Sequence, residues 1–299
     1  MIKTAHVLPF ILCFTYLTAQ EYKVKSLDIN NKLDHHAPVM VGDTIYFSCN
    51  LTDKRGQPIL DKYSEKVFGL YKASTTSDGE IEDPEVIKKT ERRKFNMTGA
   101  TFSKDGKYMY FTSNNYHLGN NKSERHKMYN LVIRRAEYDD DKGWTNFTTL
   151  PFCDTDYNYG HPALSADDST LYFVSNMEGT KGKSDLYRVI VKRHQTYGEI
   201  ERLNKYINSP RTELFPFVSS DNVLYFASNR EGGYGALDIY KYDLSKAGAS
   251  TEPELLPEPI NSKGNDFSFC IFDDSKRGYF ASRRRRGKGG DDLFYFTVE

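Results

Sequence analysis

The chain has 299 residues, enough for one large domain or two small ones. Its 41 Lys plus Arg balance 41 Asp plus Glu, so bulk charge supplies no footprint for nucleic acid or an acidic membrane surface. An aromatic content of 14% favours strands, and four cysteines, one of them in the leader, form no disulfide framework.

Met1 to Gln20 reads as a secretory signal peptide. Lys3 gives it a positive start, Val7 to Leu17 an apolar run, and Ala19 a small residue before the cleavage point. The run is shorter than the roughly 20 residues of a membrane span. Large Ile11 and Leu12 before Cys13 argue against lipid attachment there. No later stretch is long and apolar enough to cross a bilayer, and residues 21–299 are expected to form a single domain.

The rest of the chain repeats itself, which decides the fold class before any local reading. Two of the units read Pro162-Ala-Leu-Ser-Ala-Asp-Asp-Ser-Thr-Leu-Tyr-Phe-Val-Ser-Asn176 and Pro216-Phe-Val-Ser-Ser-Asp-Asn-Val-Leu-Tyr-Phe-Ala-Ser-Asn-Arg230. Units beginning at Pro38, Ala100 and Phe269 follow the same pattern. Their Tyr-Phe pairs end at residues 47, 111, 173, 226 and 280, steps of 64, 62, 53 and 54. Each unit opens with a strand, turns at an Asp-Gly-like corner and continues in a second strand. A loop then leads to a third strand: Gly69–Lys72, Lys127–Asn130, Asp185–Arg188, Asp238–Lys241 and Asp292–Tyr295. Fourth strands are expected near 80–88, 144–150, 198–203 and 253–257. The fifth unit has none of its own, and Tyr22–Asp28 is the segment left to supply it. The pattern therefore predicts an all-β β-propeller of five four-stranded blades, closed by the N-terminal strand.

At residues 162–188 and 216–241 the units resemble the WD40-like (PD40) repeats of bacterial periplasmic propellers, which are related to the TolB propeller. The likeness is greatest to exported Bacteroidota propellers, whose unit reads Pro-x-Leu-Ser-x-Asp-Gly-x-x-Leu-Tyr-Phe-x-Ser-Asn-Arg, then Gly-Gly, then Asp-Leu-Tyr. The third unit departs from it with Asp168 at the turn and no Arg after Asn176, and the fifth has Arg283 in place of Asn. The resemblance implies a periplasmic or outer-membrane-associated protein, with the cell surface as a further location. It also implies an accessory place in an outer-membrane secretion or motility assembly, such as the type IX secretion and gliding machinery. Related proteins often carry an OmpA-like peptidoglycan-binding domain. This sequence ends at its propeller, so peptidoglycan anchoring of that kind is not expected.

The residues that could carry chemistry mostly have structural explanations. Asp185, Asp238 and Asp291 or Asp292 could hold calcium, but an Asp after a Gly-rich loop ordinarily accepts free backbone N–H groups, and no dense acidic loop is present. Asp139 to Asp141 reads as a solvated turn. Gly232, Gly233 and Gly235 precede a strand rather than a helix, which argues against phosphate binding. His35, His36 and His161 fall where the chain enters innermost strands; their spacing is no zinc motif. Cys153 has no orienting partner in sequence, and no Gly-x-Ser-x-Gly elbow occurs. No cofactor or metal is expected.

Arg283 to Arg286 make the sharpest charge cluster. With the insertions Leu51–Lys66 and Asn115–His126 they are expected to form a basic arc for a protein partner of the envelope. Its candidate contacts are Lys54, Arg55, Lys62, Tyr63, Tyr116, Arg125, His126, Arg230, Arg284, Arg285 and Arg286. The reading that follows is a non-catalytic docking scaffold. The alternative is a carbohydrate-binding or carbohydrate-cleaving propeller, favoured by a central pocket with aromatic platforms and two nearby carboxylates.

Overall fold

The computed structural model describes residues 21–61, 64–91, 95–114, 130–192, 196–246 and 251–299. The expected signal peptide lies outside them, as do Lys62, Tyr63, Tyr116, Arg125 and His126. No helix among the described residues is long and apolar enough to cross a membrane.

Five four-stranded antiparallel sheets stand as blades around one axis. β1 (Tyr22–Ser26) belongs to the last of them. Blade one is β2 (His35–Val41), β3 (Thr44–Asn50), β4 (Phe68–Thr75) and β5 (Ile81–Val86). Blade two is β6 (Thr98–Phe102), β7 (Tyr108–Asn114), β8 (Leu131–Asp139) and β9 (Gly143–Thr149). Blade three is β10 (Tyr159–Leu164), β11 (Thr170–Ser175), β12 (Asp185–Lys192) and β13 (Thr196–Arg202). Blade four is β14 (Glu213–Val218), β15 (Val223–Ser228), β16 (Asp238–Asp243) and the two-residue β17 (Glu254–Leu255). Blade five is β18 (Asp266–Ile271), β19 (Arg277–Ser282), β20 (Asp292–Val298) and, as its outer strand, β1. The pairing of Tyr22 with Val298 and of Ser26 with Phe294 closes the ring as the repeat predicts.

Burial follows from the two-residue period of the strands. Second strands are apolar on both faces because each blade packs between two others, and β11 is buried at every position. Aromatic rings fill the wedge between blades: Tyr225 stacks on Phe269 at 4.6 Å, and Phe269 on Phe296 at 4.9 Å. Each ring so buried contributes about 2–3 kcal/mol.

The linkers are fastened by one repeated device. Asn208 bonds both main-chain groups of Leu186, and Asn261 those of Ile239. Asn30 does the same to Leu293, 263 residues away in sequence, so the device also locks the closing strand.

One predicted strand is displaced. Lys127 to Tyr129 lie outside the described residues, the described third strand of blade two is Leu131–Asp139, and the register that places Asp185 opposite Ser175 places Val132 opposite Ser113. The Met-Tyr pair at 128–129 imitates the Leu-Tyr of other units, but Arg134 occupies the tyrosine's position. It is buried there against Phe95 and Phe147 and paired with Glu91 at 3.0 Å.

Candidate active site

All five innermost strands break register at one place. The shift lies between His36 and Val39, Thr98 and Ala100, Gly160 and Ala163, Leu214 and Phe217, and Phe267 and Cys270. At its centre the backbone is left-handed in every blade: Ala37 (φ 52°), Gly99 (55°), His161 (49°), Phe215 (50°) and Ser268 (54°). Only one of the five is glycine, and each of the others stores of order 1–3 kcal/mol of strain. These bulges line a cavity of about 50 Å3 on the axis. His161 and Phe215 line the cavity and lie flat on each other at 3.9 Å and 11°, with Phe267 behind Phe215 at 4.9 Å. The Phe215 amide donates to His161 Nδ1 at 3.3 Å, which leaves the proton of the neutral ring on Nε2. Burial holds His161 down at about 3 and His36 at about 4. The Nδ1 atoms of His35 and His36 and the Ser268 hydroxyl are buried without a hydrogen-bond partner. His36 Nε2 meets the Thr98 hydroxyl at 2.6 Å.

The loops between second and third strands share one face with the linkers into the innermost strands, as expected. A main-chain N–H at the start of each of three innermost strands crosses to the preceding blade's loop: Glu213 to Ser184, Asp266 to Leu237, and His35 to Asp291. Two of these crossings put Ser184 against Thr212 and Leu237 against Asn265. The third brings two carboxylates together, Asp291 and Asp34. Asp34 Oδ1 abuts Gly290, where an added Cβ would lie 2.1 Å from it, and Oδ2 takes Lys66 Nζ at 2.7 Å. Arg283 reaches Asp291 Oδ1 from Nε at 2.9 Å and from Nη2 at 2.8 Å.

The two acids are pushed apart. Burial dominates at Asp291 and raises it, with the Asp34 charge adding and Arg283 opposing. Burial also presses on Asp34, but Lys66, the Asp291 amide and Arg283 outweigh it and hold the group below the ordinary carboxylate range. The pair sits on the loop face just before β2, buried where blade five meets blade one, and neither acid lines the axial cavity.

Other acids serve the scaffold. Asp185 accepts the Lys181 amide, Asp238 that of Gly235, and Asp292 those of Lys288 and Gly289, the turn-capping role their position predicts. Glu213 and Asp266 are fully buried and satisfied by serines and by Arg230 and Arg284. Charge places Arg230 and Arg284 among the expected partner contacts, but the structure turns both side chains inward. Arg230 donates to the carbonyls of Tyr206 and Ile207 and covers Phe226 and Tyr240. Arg284 donates to those of Pro259 and Ile260 and covers Phe280 and Phe294. Lys54, Arg55, Arg285 and Arg286 are exposed. The first two ride on a compact meander in which Leu51 pairs with Val67 and Asp53 with Gln57. Cys153 is pushed up to about 12 by burial, out of the nucleophilic range.

In the sequence Asp291 stands out only as a calcium candidate, and Asp34 belongs to no motif. The available signal was the repeat itself: these positions are Leu237 and Asn265, or Ser184 and Thr212, one blade earlier. The left-handed bulges carried no glycine signature.

No protein-family model matches the chain, and no curated protein is similar to it. Solved structures share the fold. A TolB-type protein from Agrobacterium tumefaciens aligns over 94% of this chain and 99% of its own at 13% identity, TM-score 0.51. A family 117 glycoside hydrolase produced by the marine bacterium Zobellia galactanivorans aligns over 93% and 90% at 13% identity, TM-score 0.53. The catalytic domain of the Coprinopsis cinerea GH62 alpha-L-arabinofuranosidase aligns over 93% and 97% at 10% identity, TM-score 0.51. The chain spans 44% of a Mycobacterium tuberculosis puromycin-hydrolyzing peptidase, TM-score 0.45.

This is a five-bladed propeller similar in structure to TolB-like propellers. The neighbours correct the expectation of a non-catalytic, protein-docking scaffold. The same architecture, aligned over nearly the whole of both chains, is a hydrolase in the two glycosidases. A propeller without a familiar nucleophile motif is therefore no ground for excluding an enzyme.

Proposed function

We propose that the chain is a carbohydrate-active propeller that binds a saccharide at the mouth of its central channel and hydrolyses a glycosidic bond there. The observation that carries this is the Asp34–Asp291 pair, a departure from the repeat whose two members are shifted in opposite directions. Opposed shifts in neighbouring carboxyls are the requirement for one acid and one base at a single pH. Asp291 gives its proton to the glycosidic oxygen as the bond to the anomeric carbon breaks. Asp34 takes a proton from the water that attacks that carbon. Phe215 and His161 offer the flat apolar surface on which a sugar ring packs. The glycosidases among the structural neighbours support the reading. In this reading the Met1–Gln20 leader exports the protein to the periplasm or outer membrane, where saccharides are at hand.

A panel of chromogenic glycosides and envelope polysaccharides, assayed for released reducing ends, tests it. Asp291→Asn and Asp34→Asn should each lower kcat by roughly 100-fold or more with the fold intact by circular dichroism. The rate should fall as pH rises through the Asp291 pKa, which burial holds above the ordinary value of about 3.9. Hydrolysis that survives both substitutions, or no hydrolysis of any member of the panel, would remove the assignment.

A further inference from the structure

A second cavity, of about 150 Å3, lies beside the axial one and shares His161 with it. It lies at blade three, beside the loop that carries Lys183 and Ser184, whereas Asp34 lies where blade five meets blade one. Among the described residues its lining includes one ammonium group, Lys183, and no carboxylate. Asn158, Asn176, Ser175 and Ser184 supply the remaining polar side chains besides His161.

Among the described residues, the donors here are left over after the fold has taken what it needs. The Lys183 main chain is used, its amide donating to the Arg211 carbonyl at 2.9 Å, while its exposed ammonium group enters no ion pair. Asn176 spends its carbonyl oxygen on the Asn158 amide at 2.7 Å, and its NH2 has no partner. His161 spends Nδ1 on Phe215, so Nε2–H remains to donate. By contrast Arg188, Arg202 and Arg211, on the same and the next blade, are each taken up by a carboxylate. A concave site whose described lining holds an unpaired cation, spare amide and imidazole N–H donors and no acid is complementary to an oxyanion.

We infer that this cavity is a subsite for the acidic substituent, carboxylate or sulfate, of an anionic saccharide. The inference rests on the saccharide reading for the molecule that carries the charge, and on the cavity for the charge itself. Lys183 pairs with the anion, while Asn176 and His161 orient it. The substrate class of the propeller is then an acidic glycan, a uronate or a sulfate ester. The exposed Lys54, Arg55, Arg285 and Arg286 on the same face would draw such a chain toward the mouth.

The test is equilibrium binding of glucuronate, glucose 6-sulfate and glucose to the full mature protein, to Lys183→Met and to Lys183→Arg. The expected result is binding of at least one acidic sugar 10-fold or more tighter than glucose. Lys183→Met should abolish that preference and Lys183→Arg should keep most of it. The two acidic sugars separate a carboxylate site from a sulfate site. Equal affinity for all three sugars, or an acidic preference untouched by Lys183→Met, would overturn the subsite while leaving hydrolysis at Asp34 and Asp291 standing. Loss of activity in Asp291→Asn with acidic-sugar binding unchanged would show the two sites to be separable, as this inference requires. Loss of acidic-sugar binding in Asp291→Asn would overturn it.

Discussion

At the scale of single residues, charge in the sequence does not tell a solvated arginine from a structural one. Arg284, Arg285 and Arg286 are adjacent in one loop, yet only Arg284 meets a fully buried carboxylate, at 2.6 Å from Asp266. Arg284→Ala leaves that carboxylate unpaired in the interior and should cost roughly 3–5 kcal/mol. In a chain of this size that lowers Tm by roughly 10 °C. Arg285→Ala and Arg286→Ala should each stay within about 0.5 kcal/mol. Differential scanning calorimetry of the three variants decides it, and equal melting temperatures would contradict the structural role of Arg284. The place of Arg284 was legible by alignment of Ser282 with Ser228, since Arg230 then falls opposite it. The alignment does not show, however, that either side chain turns inward to a buried carboxylate. Asp34 was harder to see, because its role depends on a neighbour 257 positions away that is brought close only by closure of the ring.

At the scale of elements, the hairpins could be read because turn chemistry and two-residue periodicity are local. Ser165 and Asp167, like Ser219 and Asp221, bind each other across the corner the repeat predicts. In blade two Met128 and Tyr129 satisfy the motif locally, but pairing with β7 puts Arg134 opposite Phe111, at the tyrosine's place in the repeat. The bulges of the innermost strands could not be read, since Ala37, His161, Phe215 and Ser268 take a conformation their residue types disfavour. Packing of five strands around the axis imposes it. The closing strand is the element with the clearest consequence. β1 buries Tyr22 against Phe296, and Leu27 just beyond it is fully buried. Removal of residues 21–30 uncovers the edge of β20 and deletes the Asn30 fastening. The truncated protein should melt at least 10 °C lower and self-associate on size-exclusion chromatography. Melting like the full mature chain would mean that β1 contributes little to closure.

At the scale of the whole molecule, the axis carries a pH dependence. His36 and His161 sit at about 4 and about 3 in the folded protein, below the value near 6.5 of an unfolded histidine. As pH falls through 6.5 the unfolded chain takes up these protons and the folded chain does not. The stability they contribute is complete above about 6.5 and is lost progressively toward pH 3. Each histidine accounts for roughly 1 kcal/mol per pH unit over that window. Urea midpoints measured from pH 7.5 to pH 5 should decline for the parent protein and decline less for His36→Gln and His161→Gln. Parallel curves would show that other groups carry the acid sensitivity. The ring has one further property. Covalent turns join the successive strands inside blades one to four, but the outer strand of blade five is joined to its sheet only by pairing. Tyr22 and Val298 are partners at one end of that pairing, and beyond them the Glu299 amide bonds the Glu21 carbonyl at 2.9 Å. Tension applied between residues 21 and 299 would therefore not shear the strands along their length. It would peel β1 from β20 rung by rung, like a zip, and open the circle at that seam at low force while the four covalently continuous blades still held.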